Sequence, residues 1–285
     1  MKRAPEVALI QDLSGFGRCS ATIALPVLSA MGNRCDTLLT AYLSAHTAYP
    51  RSDKAVFLDL TDAMTRCCDH WAQLGASFDA IYSGFLGSER QIDVLRAFIA
   101  RFRRSNTLVL VDPVMGDHGR PYSTYTPALC ARMGALAAEA DIITPNLTEA
   151  SILTGIPYEG QDVSLEFVQK NAGALLDMGA KTVVIKGIVH GDEPIIRNYL
   201  ASAAEGGQVE EVSSELLPYM LHGTGDLFAS ALTAAIYTGR TTREAVDFAG
   251  ELVRDAMRIT REQPDFEMRG VSFEPTLGKV AALLA

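Results

Sequence analysis

Short apolar runs alternate with helix-period stretches along most of this 285-residue chain, and this alternation restricts its possible folds more than any other feature. Residues 6–12, 34–40, 79–83, 108–112, 141–144 and 182–186 are brief and carry Val, Ile or Leu, so they read as strands. Between them lie helical patterns at 21–31, 59–74, 89–103, 127–139, 148–153 and 165–178. Strands that alternate with helices predict an α/β fold, with a mostly parallel sheet and helices on both faces. After residue 186 the pattern changes. Residues 195–200 and 209–213 flank Glu205-Gly206-Gly207 and predict a small hairpin at one edge. Helices at 226–237 and 241–260 and a short closing one from 275 complete the chain. No low-complexity linker or internal repeat interrupts it, so the reading is one domain over 1–285.

Composition excludes some partners. A net charge of −9 argues against a nucleic-acid surface, which needs clustered Lys and Arg. The densest basic cluster, Arg101, Arg103 and Arg104, reads as a solvated helix end. No segment approaches the ~20 apolar residues that cross a bilayer, and the apolar run 7–10 is too short for a leader. Five cysteines without metal spacing fit a reducing compartment, so a cytoplasmic protein is expected.

Open parallel sheets bind ligands beyond the carboxyl ends of their strands. Asp12, 40–47, 83–87, 112–117, 144–149 and Lys186 all follow predicted strand ends. His222-Gly223-Thr224-Gly225-Asp226 sets a glycine-lined turn and a carboxylate at the start of an apolar helix. Free N–H groups there suit a phosphoryl group in transfer, with Asp226 as base for an attacking hydroxyl. Alternatively, Thr224 or Asp226 caps its own helix. Asp112-Pro113-Val114-Met115-Gly116-Asp117 offers two carboxylates for Mg²⁺ beside a triphosphate, or only a turn with solvated acids. In Thr144-Pro145-Asn146-Leu147-Thr148-Glu149, Thr148 or Asn146 caps a helix and Glu149 completes a capping box; otherwise Glu149 carries a metal-bound water and Asn146 contacts phosphate. Lys186 would reach the transferring phosphate as a point charge. Ser44-Ala45-His46-Thr47-Ala48-Tyr49 mixes groups that could line a pocket for a small heteroaromatic ring. Gly15-Phe16-Gly17-Arg18-Cys19-Ser20, with Asp36 beyond, matches a dinucleotide fingerprint only in part, because Ser20 replaces the third glycine. The nucleoside-triphosphate P-loop pattern is absent.

Together these residues resemble the ribokinase-like superfamily and, within it, the pyridoxal/pyridoxamine (vitamin B6) kinases. The segments LSAHTAY, YSGFLGS, DPVMGD, ITPNLTEA, VVIKG and HGTGDLFAS follow the family's order over nearly the whole chain. The resemblance implies a three-layer sandwich around a mainly parallel sheet, Mg·ATP as phosphoryl donor, and a homodimer. It implies phosphorylation of the 5′-hydroxymethyl group of a B6 vitamer in pyridoxal 5′-phosphate salvage. Asp226 matches the family's base, and Gly223, Thr224 and Gly225 its anion hole. Asp112, Asn146, Glu149, Lys186 and Thr224 match ATP-binding positions, and Asp117 and Glu149 serve Mg²⁺. Asp12, His46, Thr47 and Phe85 would meet the substrate, with Ala48 alongside. Segment 119–126, with Tyr122 and Tyr125, falls where the family has a lid over the phosphates. Two departures bear on vitamer preference: Asp12 stands where many members have serine, and Phe85 where tyrosine is frequent. Hydroxymethylpyrimidine kinases of thiamine synthesis share these motifs and are the alternative. A K⁺ requirement stays open.

Overall fold

The computed structural model describes residues 3–47, 49, 50, 52–122 and 125–282, the Glu267 side chain excepted. In chain order the elements are β1 (Glu6–Ser14), α1 (Ala21–Ala30), β2 (Arg34–Leu43), β3 (Phe57–Asp59), α2 (Thr61–Gln73), β4 (Ala80–Ser83), α3 (Glu89–Phe102) and β5 (Leu108–Val111). Next come β6 (Gly116–Asp117), β7 (Arg120–Pro121), α4 (Pro127–Ala137), β8 (Ile142–Ile143), α5 (Leu147–Thr154) and α6 (Leu165–Asp177). The rest is β9 (Thr182–Ile188), β10 (Ile195–Ser202), β11 (Val209–Glu215), α7 (Thr224–Ile236), α8 (Thr242–Arg261), α9 (Phe266–Arg269) and α10 (Leu277–Ala281).

Nine strands form one sheet in the order β11-β10-β9-β8-β5-β4-β1-β2-β3. The run from β9 through β2 is parallel, while β3 at one edge and β10 and β11 at the other are antiparallel. Successive strand residues point to opposite faces, so each central strand feeds two cores. Ala8, Ile10, Ile81, Val109, Val111, Val183 and Ile185 pack under α2 to α6. Val7, Leu9, Ala80, Tyr82, Leu110 and Val184 pack under α1, α7, α8 and α10. Burial on both faces is why these strands read as continuous apolar runs.

The parallel sheet and the edge hairpin match the expectation. Gly206 and Gly207 take positive φ of 79° and 72° where β10 turns into β11. Three short features differ. Asp59 was expected in a helix but ends β3, and its Oδ1 accepts from Thr61 N (2.8 Å), starting α2 two residues later. The two-residue strands β6 and β7 and the one-turn α9 are too short to carry a period. The β1–β2 register slips between Gln11 and Leu13, where two β2 residues stand opposite Asp12 alone. Such a bulge re-aims a side chain at a strand end. No described helix is long and apolar enough to cross a membrane.

Candidate active site

Helix α7 starts where Gly223 adopts φ +84°; a Cβ there would lie 2.5 Å from Ile23 Cδ1 and 2.6 Å from the Arg18 carbonyl oxygen. Only glycine fits. No side chain caps this helix. Thr224 Oγ1 donates to the Leu221 carbonyl (3.2 Å), and Asp226 Oδ2 accepts from Ser20 N (2.8 Å) on a segment far away in sequence. The capping alternative is therefore not what Thr224 and Asp226 do. The first N–H groups of α7 stay available, at the end of the helix where its dipole favours anions. Ser230 Oγ donates to the Asp226 carbonyl (2.6 Å) and steadies the turn. Burial pushes Asp226 up to about 7, with Asp112 and Asp12 adding to the rise and Ser20 N–H and Lys186 opposing it. That is a poise suited to a general base. Ser20, at the start of α1, holds φ +48°, a conformation few non-glycine residues adopt. Sequence reasoning met Ser20 only as a missing glycine. Its position as an N-cap serine before an apolar helix was the available signal.

Across from this turn, Lys186 Nζ donates to Asp112 Oδ1 (2.8 Å), which also accepts from Thr144 Oγ1 (2.8 Å). A Cβ on Gly225 would lie 3.7 Å from Lys186 Nζ, so the ammonium sits against the first turn of α7. Burial would lower the Lys186 pKa, but Asp112 and Glu149 outweigh it and the value is raised. The start of α5 is closed by its own side chains. Asn146 Oδ1 accepts from Glu149 N (2.9 Å) and Glu149 Oε2 accepts from Asn146 N (2.8 Å), a complete capping box. Thr148 is not the cap; its Oγ1 accepts from Gly119 N (2.8 Å). Glu149 Oε1 also accepts from Met115 N (3.2 Å), and burial pushes this carboxyl up to about 8. Asn146 Nδ2 donates to the Gly116 carbonyl (2.9 Å), tying α5 to β6, where Asp117 stands partly exposed and accepts from His118 N. Tyr122 lies among these acids: burial raises its pKa, then Glu149, Asp117, Asp112 and Asp226. Ser123 and Thr124 of segment 119–126 lie outside the described residues.

At the end of β1, Asp12 is 4% exposed at the bulge and accepts from Ser14 Oγ (3.3 Å). Burial raises its pKa against the Ser20 and Ser14 hydroxyls. Cys19 sits between the two carboxylates, its thiol pushed up to about 12 by burial and then by Asp226 and Asp12. His46 is buried, with Nε2 3.0 Å from the Met268 carbonyl oxygen and its ring 5.3 Å from that of His222. A Cβ on Gly17 would lie 2.1 Å from His46 Cδ2, so the glycine makes room for an imidazole rather than a dinucleotide. Phe85 packs against Tyr125, ring centroids 6.2 Å apart. Thr47 lies on the exposed turn after His46, and Ala48 is outside the described residues.

Asp112, Glu149 and Asp226 act on one ammonium, Lys186, and Asp117 joins them around Tyr122, an excess of negative charge. Carboxylate oxygens suit a hard cation such as Mg²⁺, so the donor set fits that ion. Among the described residues no three His, Cys, Asp or Glu side chains converge as a metal shell.

Comparison with known proteins gives this geometry its context. Residues 30–270 match the family model described as phosphomethylpyrimidine kinase. A pyridoxine/pyridoxal/pyridoxamine kinase of Bordetella avium is 30% identical over 275 residues, 95% of this chain and 90% of the relative. A Bacteroides thetaiotaomicron protein assigned as a phosphomethylpyrimidine kinase, crystallised with pyridoxal, is 36% identical with a TM-score of 0.92, covering 98% of this chain and 96% of its own. The pyridoxal kinase of Lactobacillus plantarum superposes with a TM-score of 0.88 at 28% identity over 99% of this chain and 98% of its own. The chain therefore belongs to the phosphomethylpyrimidine kinase family, with the vitamin B6 kinases of the ribokinase-like superfamily.

Proposed function

We propose that this chain transfers a phosphoryl group from ATP to the 5′-hydroxymethyl group of a B6 vitamer, the pyridoxal, pyridoxamine or pyridoxine of pyridoxal 5′-phosphate salvage. The observation that carries the site reading is the uncapped start of α7 beside Asp226. Asp226, held by Ser20 N–H, takes the hydroxyl proton as the oxygen attacks the γ-phosphorus and the bond to ADP breaks. The amides of Gly223, Thr224 and Gly225 receive charge on the transferring group, and Lys186 moves its ammonium from Asp112 towards phosphate. Such transfer depends mainly on positioning and electrostatics, which fixed backbone donors supply. Asp112 and Asn146 flank the nucleotide phosphates. Asp117 and Glu149 would hold Mg²⁺, in part through water, and the bound ion would neutralise charge on the ATP phosphates. Asp12, His46, Thr47 and Phe85 surround the ring.

Hydroxymethylpyrimidine is the second substrate to test, because the matching family model carries the phosphomethylpyrimidine kinase description. ADP release with Mg·ATP and each vitamer, and separately with hydroxymethylpyrimidine, decides between them. Turnover confined to the vitamers supports the reading; turnover only with the pyrimidine moves the protein to thiamine synthesis and leaves the mechanism standing.

Our proposal extends to three coarser properties. The described strands of one sheet run from residue 6 to 215, which supports a single domain. Five free cysteines support a cytoplasmic setting. Val56, Phe57 and Leu58 are exposed on edge strand β3 and just before it, and support a homodimer contact at that edge.

A further inference from the structure

The loop that presents Phe85 is held from four sides. Residues 84–87 follow β4 without a turn of their own, and each has a main-chain group bound to a different element. Gly84 N donates to the Ile10 carbonyl of β1 (3.1 Å). Thr40 Oγ1 of β2 donates to the Phe85 carbonyl (3.1 Å), and Gly87 N donates to Gln91 Oε1 of α3 (2.7 Å). The Leu86 carbonyl accepts from the Tyr125 hydroxyl (2.9 Å), and the Tyr125 ring also meets Phe85 edge to face. Tyr125 is buried and comes from the segment between β7 and α4.

Tyr125 also ends a chain of hydrogen bonds that begins at Glu149. Glu149 Oε1 accepts from Met115 N (3.2 Å), the Met115 carbonyl accepts from Tyr122 N (2.8 Å), and the Tyr122 carbonyl accepts from Tyr125 N (2.9 Å). The Tyr125 hydroxyl then carries the chain to Leu86, next to Phe85. Thr40 and Gln91 hold the same loop from β2 and α3 instead. Contiguous hydrogen bonds between packed groups can carry a coupling free energy between two ligands. We propose that Tyr125 is a positioning residue through which an occupied nucleotide side, at Glu149, sets Phe85 for the vitamer. The inference rests on the vitamer and nucleotide sides proposed above. A nucleotide that fixes Glu149 fixes this chain, and the vitamer then meets a loop already in place. Less freedom is left to lose when the vitamer binds, so each ligand favours the other.

The test is the binding of pyridoxal to the full chain, measured by titration calorimetry with and without saturating Mg·ADP. In the wild type, Mg·ADP should lower the dissociation constant of pyridoxal by about fivefold or more. Tyr125→Phe keeps the buried ring and the fold and removes only the hydroxyl; the factor should fall below about half its wild-type value. Thr40→Val loosens the same loop from the β2 side, so pyridoxal should bind more weakly while the factor keeps its wild-type value. A merely structural role for Tyr125 would make the two variants alike. A smaller factor in the wild type, a factor in Tyr125→Phe above that limit, or an equal loss of it in Thr40→Val overturns the coupling and spares the vitamer reading. Pyridoxal that fails to bind the wild type, with or without Mg·ADP, overturns both.

Discussion

Helices α5 and α7 both begin at this site with an acid at the third helical position, Glu149 in one and Asp226 in the other, and use it in opposite ways. In α5 the side chain turns back on its own helix. Asn146 and Glu149 exchange hydrogen bonds with the backbone and close the helix start. In α7 the cap is glycine, which brings no side chain, and the acid turns away to Ser20 N–H. One methylene and one cap residue separate a helix start that satisfies itself from one that keeps its amides for a ligand. Sequence patterns of the same type can therefore stabilise a helix or give it to chemistry, and the partner of the acid decides which.

Substitutions at the two starts should separate along that line. Asp226→Asn keeps the shape and removes the base, so kcat should fall by about 10²- to 10⁴-fold with little change in ATP affinity. Steady-state kinetics that found near-normal turnover in a folded variant would remove the contrast altogether. Gly223→Ala forces a Cβ into Ile23 and the Arg18 carbonyl at positive φ, and should cost about 1–3 kcal/mol of stability along with a loss of kcat, read by denaturant unfolding and assay together.

The third expected effect is on pH. A carboxyl raised to about 7 in the folded state is protonated below that value, so kcat/KM should fall as pH drops through about 7. The same shift destabilises the fold above the unfolded value of 3.8, increasingly up to about 7. Asp226→Asn should therefore melt higher than the wild type at pH 8, and the gap should close as pH falls towards 4; equal melting at pH 8 would deny that burial strains this acid. Smallest of all, Asn146→Ala opens the α5 box and should cost ~1 kcal/mol in chemical unfolding, with a weaker effect on kcat than any change at α7. A loss of kcat rivalling that of Asp226→Asn would show that both starts are catalytic.

Much of this was legible in the chain itself. The strands 6–12, 79–83, 108–112 and 182–186 are buried on both faces, which made them apolar without interruption and easy to find. Strand β3 and the β6–β7 pair escaped because each is only two or three residues long and exists through its neighbours. The motif residues Asp112, Asn146, Glu149, Lys186 and Asp226 could be named from spacing and strand ends. Their partners could not: Thr144 binds Asp112 across 32 positions and Ser20 binds Asp226 across 206, and no local pattern encodes such pairings. The capping box is the instructive intermediate case. Asn146 and Glu149 were readable as caps, whereas the hydrogen bond from Met115 N that fixes Glu149 from the next loop was not.

The Ser20–Asp226 link also bears on the order of assembly. The proposed base is not a property of α7 alone, since the Asp226 carboxylate is aimed by the Ser20 amide from the other end of the chain. A nascent or refolding polypeptide can build its strands and most of its helices and still lack a directed base until α7 docks on α1. Recovered turnover should therefore lag behind recovered helical signal when the denatured protein is refolded, and the two would be joined by the slowest long-range closure in the molecule. Catalytic competence in this kinase is thus a report on completed folding, and a partly folded chain has no means of transferring phosphate.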